Sequence, residues 1–186
     1  EGAAIMIDEP ELSMHPKWQR KIYKYYKDLF TEAGMQKAQL FLASHSEHVL
    51  KEALENKNDN LVIVLSEDTG TIEAKRVDAP PVLPSITAAE TNFLAFDLVS
   101  TDYHIELYGW LQDKENKTTV KSCDQFIESH TLYNAAIHYK PSNHGATTYE
   151  TLSTYIRNAI HHPEPSRTFT EEELRTSIML LIELCR

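Results

Sequence analysis

The stretch that decides the fold is Ala3-Ala4-Ile5-Met6-Ile7-Asp8-Glu9-Pro10, continued by Glu11-Leu12-Ser13-Met14-His15-Pro16. Ala3 to Ile7 is a short apolar run and reads as a buried strand. It stops abruptly at two acids and a proline. At the carboxyl end of a buried strand, polar side chains project into the crevice where α/β sheets bind ligands. Many strands end in acids at a turn, so the pair gains meaning only from the residues after it. Pro16 is a favoured first helical residue. Trp18, Ile22, Tyr25 and Leu29 then recur at spacings of four and three, which predicts a helix with an apolar stripe and Gly34 as its stop. Leu40 to Ala43 is a second buried run, closed by Ser44-His45-Ser46. A short helix is expected over Glu47 to Glu55 and a third strand over Leu61 to Leu65. A turn at Asp68-Thr69-Gly70 then leads into a returning strand from Thr71 to Val77. Strand, helix, strand, helix, strand is the order of a parallel α/β sheet with flanking helices.

The chain has 186 residues, of which 41% are hydrophobic, enough for one domain core and a smaller module. No apolar run is long enough to cross a bilayer, so no membrane role is expected. Cys123 and Cys185 match no metal spacing and read as reduced thiols of a cytoplasmic protein. The net charge of −10 counts against a broad nucleic-acid groove. One helix runs the other way, with Lys17, Arg20, Lys21, Lys24 and Lys27 at helical spacing. Such a row is ordinarily a solvated face; the other reading is a surface for nucleic acid or a partner.

In order and spacing, the acidic pair, the loop behind it and the histidine turn resemble the ABC-type ATPase head. The variant is the one found in overcoming-lysogenization-defect and repair-type ATPases. The resemblance casts Ala3 to Glu9 as the Walker B strand, Glu11 to Pro16 as the D-loop, and Ser44-His45-Ser46 as the switch-histidine loop. Met14 departs from the usual leucine. The resemblance implies ATP and Mg2+ as cofactors. Asp8 would hold the metal and Glu9 would orient and deprotonate the attacking water. His45 would donate to the γ-phosphate, Ser44 would lie beside it, and Ser13 would face the opposite monomer. Taken alone, His45 would be an ordinary loop histidine, Ser13 a helix cap and His15 a helix-start residue. No G-x-x-x-x-G-K-[ST] sequence and no Leu-Ser-Gly-Gly-type signature occurs in the chain. In this family both precede the Walker B strand, so the chain reads as the C-terminal half of the head. It opens at Glu1 without methionine and is expected to continue upstream. It is not expected to hydrolyse ATP alone, because the phosphate cradle supplies donors that Asp8 and Glu9 cannot replace. ABC heads hold ATP between two subunits, which implies self-association as a head-to-head dimer or higher oligomer.

Pro80, Pro81 and Pro84 mark residues 79–87 as a stiff linker between a domain at 1–78 and an α-helical module at 88–186. Within the module, one apolar periodicity runs from Ala88 to Gln112, and a helix is expected around Asp124 to Tyr139. Thr147 with Glu150 suggests a capping box before a helix through Leu152, Ile156 and Ile160, ended by Pro163. Thr170 with Glu173 suggests another before a last helix with Leu174, Ile178, Leu181 and Ile182 inward. Ala89 to Phe96 with Tyr103 to Gly109, and Tyr155 to Glu164, resemble the tail of the Septu-type anti-phage ATPases (the PtuA family). That likeness implies a partner nuclease of HNH type, PtuB-like. Arg157-Asn158 followed by His162 also matches the R-x4-H pattern of HEPN-domain RNases. There Arg157 would hold a phosphate and His162 would act as acid or base. The alternatives are a helix end satisfied by its own basic side chains, an ion pair of Arg157 with Glu106 or Glu164, or a docking surface for the partner. A third reading is a DNA-repair or SMC-like ATPase head working through a coiled coil.

Overall fold

The computed structural model describes residues 2–56, 58–68, 70–78 and 80–186. The chain is α/β and divides into two compact units, Glu1–Ala79 with Ile86–Phe96, and Pro80–Ser85 with Asp97–Arg186.

The first unit begins with β1 (Ala3–Asp8), α1 (Pro16–Leu29), and a short hairpin of β2 (Thr31–Glu32) and β3 (Met35–Gln36). It continues through β4 (Ala38–Ala43), α2 (Glu47–Glu55), a second hairpin of β5 (Ile63–Asp68) and β6 (Thr71–Arg76), and α3 (Ala88–Phe96). β1 and β4 pair in parallel, Ile5 opposite Leu40, Met6 opposite Phe41 and Asp8 opposite Ala43, with α1 as the crossover. Ile22, Tyr23 and Val49 form a core cluster against which Leu42 packs. Leu54, Val62 and Ile86 form another.

Three expectations for this unit need correction. α1 ends at Leu29, not near Gly34, because Ala33 (φ 51°) and Gly34 (φ 78°) form the left-handed turn of a tight hairpin. The strand at Ile63–Asp68 pairs antiparallel with β6 and, among the described residues, does not join the parallel pair. Thr69, central to the expected turn, lies outside the described residues. The β1–β4 sheet is covered on one face only: Ile5, Ile7, Leu40 and Leu42 are half-buried, whereas Met6 and Phe41 on the other face are exposed. Parallel strands read as apolar on both faces whether or not both faces are covered, so the sequence pattern could not separate the two cases.

The stretch 80–87 has no helix or strand, and Ala79 lies outside the described residues. Ile86 is buried in the first unit's core, and α3 packs on α2 with the Asn92 amide donating to Glu47 (2.9 Å). The compact units therefore divide the chain differently from a boundary at 79–87, with α3 in the first.

The second unit contains α4 (Thr101–Lys114), α5 (Val120–Ser129), α6 (Ala135–His138), β7 (Tyr139–His144), β8 (Thr147–Thr151), α7 (Leu152–His161) and α8 (Glu171–Cys185). The single periodicity over 88–112 is two helices. Asp97 adopts φ 54°, and the Ser100 side chain accepts from Tyr103 N to cap a new start. The module is not wholly helical. The expected helix at 124–139 is α5 and α6, and a β-hairpin follows. Pro141 has no N–H to give the ladder and falls where the register of that hairpin shifts. Thr147 and Glu150 lie in β8 and form no capping box; Thr151 caps α7 instead, accepting from Thr154 N. The Thr170–Glu173 box before α8 is present, and Leu174, Ile178, Leu181 and Ile182 are buried as expected.

The core of this unit carries a polar seam. Asp124, fully buried, accepts from Thr151 Oγ1 (2.9 Å), Thr151 N (3.1 Å), Glu150 N (3.1 Å) and Lys121 Nζ (3.3 Å). These bonds compensate a carboxylate that would otherwise be costly in the core. His104, also fully buried, meets Ser177 Oγ (2.9 Å), and Ser177 donates to Ser153 (2.8 Å). Ser177 therefore accepts from His104, which fixes the proton on Nε2. His104 Nδ1 has no hydrogen-bond partner among the described residues. Burial pushes the pKa of His104 down to about 3, so it stays neutral when folded. An unfolded histidine titrates near 6.5, so the unfolded chain takes up a proton first as pH falls. Stability contributed by neutral His104 is complete above about pH 6.5 and is lost progressively below it. Urea melts from pH 8 to 4 should show this fall, and His104→Gln should flatten it.

Candidate functional site

The parallel pairing of β1 and β4 sets their carboxyl ends side by side. Glu9 N donates to Ala43 O (2.8 Å), extending the ladder one residue past Asp8. Glu9 then takes φ 42°, a left-handed conformation that few non-glycine residues adopt. Such a conformation persists only where its surroundings over-determine it, and it turns the chain sharply at the acidic pair. Leu12 N donates to Glu9 O and Met14 N to Glu11 O, both at 3.0 Å, and Ser13 is again left-handed at φ 60°. The His15 side chain caps α1 by accepting from Lys17 N (3.2 Å), its expected helix-start place.

The sequence did not single out Glu11, yet it joins the two loops. Glu11 is buried, and its Oε1 accepts from Ser44 Oγ (2.5 Å), Ser46 N (3.1 Å) and His45 N (3.2 Å). Its second oxygen has no hydrogen-bond partner among the described residues. Ser46, the N-cap of α2, makes no side-chain cap bond, and its N–H is shared between Glu11 Oε1 and Ser44 Oγ (3.0 Å), an arrangement that nothing within the Ser44–Ser46 run announces.

With the Ser44–Ser46 turn so held, His45 Nε2 lies 3.6 Å from Glu9 Oε1. The imidazole is 85% exposed and the Glu9 side chain 40% exposed. Asp8 is exposed at the same strand end, and Ser44 follows Ala43, its cross-strand partner. The structure thus brings Asp8, Glu9, Ser44 and His45 together around one pair of strand ends. Ser13 is exposed on the intervening loop. The nearby oxygen donors, a carboxylate and a hydroxyl, are hard and suit Mg2+. No group of three or more His, Cys, Asp or Glu side chains able to hold a metal occurs among the described residues. An ion at Asp8 would therefore draw most of its coordination from water and phosphate, as Mg2+ commonly does.

The second expected constellation is arranged otherwise. Asn158 is buried in the α7 core face, and Arg157 Nη1 donates to its Oδ1 (3.1 Å). His162 is the C-cap of α7, donating its N–H to Asn158 O (2.9 Å), and its ring stacks on His144 at 4.4 Å. Neighbouring His161 is held below the usual histidine range by desolvation, with Arg157 and His162 adding to the shift.

Among the described residues no helix is long and apolar enough to cross a membrane. No curated protein matches the chain. Residues 1–51, which carry β1 through most of α2 and every side chain of the strand-end cluster, match the family model for the AbiEii toxin-type AAA domain of Type IV TA systems. That segment is part of an ATPase-like, nucleotide-binding domain.

Proposed function

We propose that the strand-end cluster is the hydrolytic half of a Mg2+-dependent ATP site of ABC type. The observation that carries this reading is the approach of His45 to Glu9 across the ends of two parallel strands, beside Asp8. Asp8 holds the metal position, and bound Mg2+ supplies neutralisation of phosphate charge. Glu9, half-exposed beside it, accepts the proton of the attacking water. His45 presents a donor to the γ-phosphate. Ser44 and the backbone of the turn are pinned by Glu11, which keeps that donor in place. No Gly-x-x-x-x-Gly-Lys-[Ser/Thr] sequence occurs in the chain, so the reading requires phosphate donors from a further segment or subunit. Ser13, exposed on the loop, is available to an opposing monomer.

The wider role we propose is that of an anti-phage defence ATPase that controls a separate HNH-type nuclease. Its support is the sequence likeness of 89–109 and 155–164 to Septu-type tails. The Arg157, Asn158 and His162 set is better accounted for as a helix end than as an RNase site. Asn158 points into the core, and the Arg157 guanidinium is bonded to it.

The test is phosphate release by the full-length protein over a Mg2+ titration. Asp8→Asn should cut turnover by about a hundredfold or more and shift the Mg2+ requirement upward. Unchanged turnover and Mg2+ dependence would remove Asp8 from the site.

A further inference from the structure

Glu11, Met14, Gln19 and Ser46 close a circuit of hydrogen bonds beside the strand ends. Met14 N donates to Glu11 O (3.0 Å), and the Gln19 side-chain amide donates to Met14 O (3.1 Å). Ser46 Oγ donates to Gln19 Oε1 (3.5 Å), and Ser46 N donates to Glu11 Oε1 (3.1 Å). Gln19 is the member that stands on a helix. It lies half-buried in the first turn of α1, where its own N–H bonds to His15 O (3.2 Å). A carbonyl only accepts, so the Gln19 NH2 group faces Met14 O and Oε1 is left for Ser46. Ser46 shows the other half of the arrangement. A serine at an N-cap ordinarily accepts from the second or third amide of its helix. The Ser46 side chain makes no such bond in α2 and is turned to Gln19 instead. At 3.5 Å this link is the longest in the circuit. Hydrogen bonds of an unliganded site are often long and tighten in the complex.

We propose that Gln19 is a positioning residue for His45, acting through Ser46. The inference rests on the ATP-site reading above, in which His45 presents a donor to the γ-phosphate. All three bonds from Glu11 to the Ser44–Ser46 turn meet at one oxygen, Oε1. A turn held at one point can still pivot about it. Gln19 supplies a second point, anchored on α1, and two points fix the direction of the imidazole as well as its place. Through Met14 O, Gln19 also holds the loop that leads away from Glu9. The base and the imidazole, 3.6 Å apart, are thereby referred to one frame.

Steady-state phosphate release by the full-length protein tests this, with circular dichroism to confirm that each variant is folded. Gln19→Met keeps the length and helix preference of the side chain but loses both bonds. Ser46→Ala deletes the hydroxyl and leaves the Ser46 N–H bonds in place. Each should lower kcat about tenfold and change the KM for ATP by less than about twofold, because the donor is misdirected while the metal position at Asp8 is untouched. The double variant should be no slower than either single one, since both changes break the same bond. Unchanged kcat in either single variant would overturn the proposal, as would a double variant whose losses multiply, or a loss that falls on KM alone. If Gln19→Met does not fold, Ser46→Ala decides by itself. Glu9→Gln, assayed in parallel, separates the two levels. A slow Glu9→Gln beside a normal Gln19→Met removes Gln19 alone. Normal turnover in Glu9→Gln removes the ATP-site reading and the role of Gln19 with it.

Discussion

Glu9→Gln is expected to slow ATP hydrolysis in the full-length protein by about 10²- to 10⁴-fold while ATP still binds. The amide keeps the size of the side chain and its approach to His45, but cannot take a proton from water. Nucleotide affinity should survive, because the metal position at Asp8 and the turn held by Glu11 are untouched. Stability should also survive. The contact between Glu9 and His45, at 3.6 Å with the imidazole 85% exposed, lies in water and contributes little to folding. The substitution therefore separates chemistry from architecture. Phosphate release, binding of a fluorescent ATP analogue and the melting temperature, measured on one preparation, check all three. Normal turnover in the variant would reject Glu9 as the base.

The same local character explains what the sequence disclosed. β1, the start of α1 at Pro16, β4 and the span of α2 are fixed by runs of adjacent residues, and each stands where its own pattern places it. So does the Thr170–Glu173 box, whose partners are three residues apart. What failed depended on something outside the run. Trp18, Tyr25 and Leu29 have the spacing of a core stripe, yet only Ile22 of that row reaches the core. Spacing tells which residues share a face, not what covers the face. Ala33-Gly34 has the composition of a helix stop, but two successive left-handed residues build a hairpin. The polar β7 strand, with Pro141 and few β-branched residues, has no intrinsic strand signal; it is set by pairing with β8 and by Asp124 receiving the Glu150 and Thr151 amides. In the candidate site, the residues with chemistry were legible because strand ends collect them. The residue that aligns them was not. Glu11 acts on groups 33 to 35 positions away, and no local pattern reports bonds of that reach.

Glu11→Ala should therefore be the most damaging single truncation at the strand ends. It strips the acceptor from the Ser44 hydroxyl and the His45 amide, and leaves Ser46 N only its bond to Ser44 Oγ (3.0 Å). Leaving partly buried donors unsatisfied costs about 1–3 kcal/mol per group when water cannot replace the partner. Water reaches His45, so a net loss of about 2–4 kcal/mol of stability is expected. Glu11→Gln is the informative companion, since its amide oxygen can still accept from Ser44 and the turn while its nitrogen takes the place of the unpartnered Oε2. Gln should recover most of the stability. If Glu11 acts only as a brace, Gln should also recover turnover, because His45 is again held near Glu9. Denaturant melts and phosphate release on the two variants distinguish the outcomes. A stable Ala variant with full turnover would show that the turn holds itself. A stable Gln variant that remains slow would show that the charge of Glu11, beyond its shape, is needed beside the phosphates.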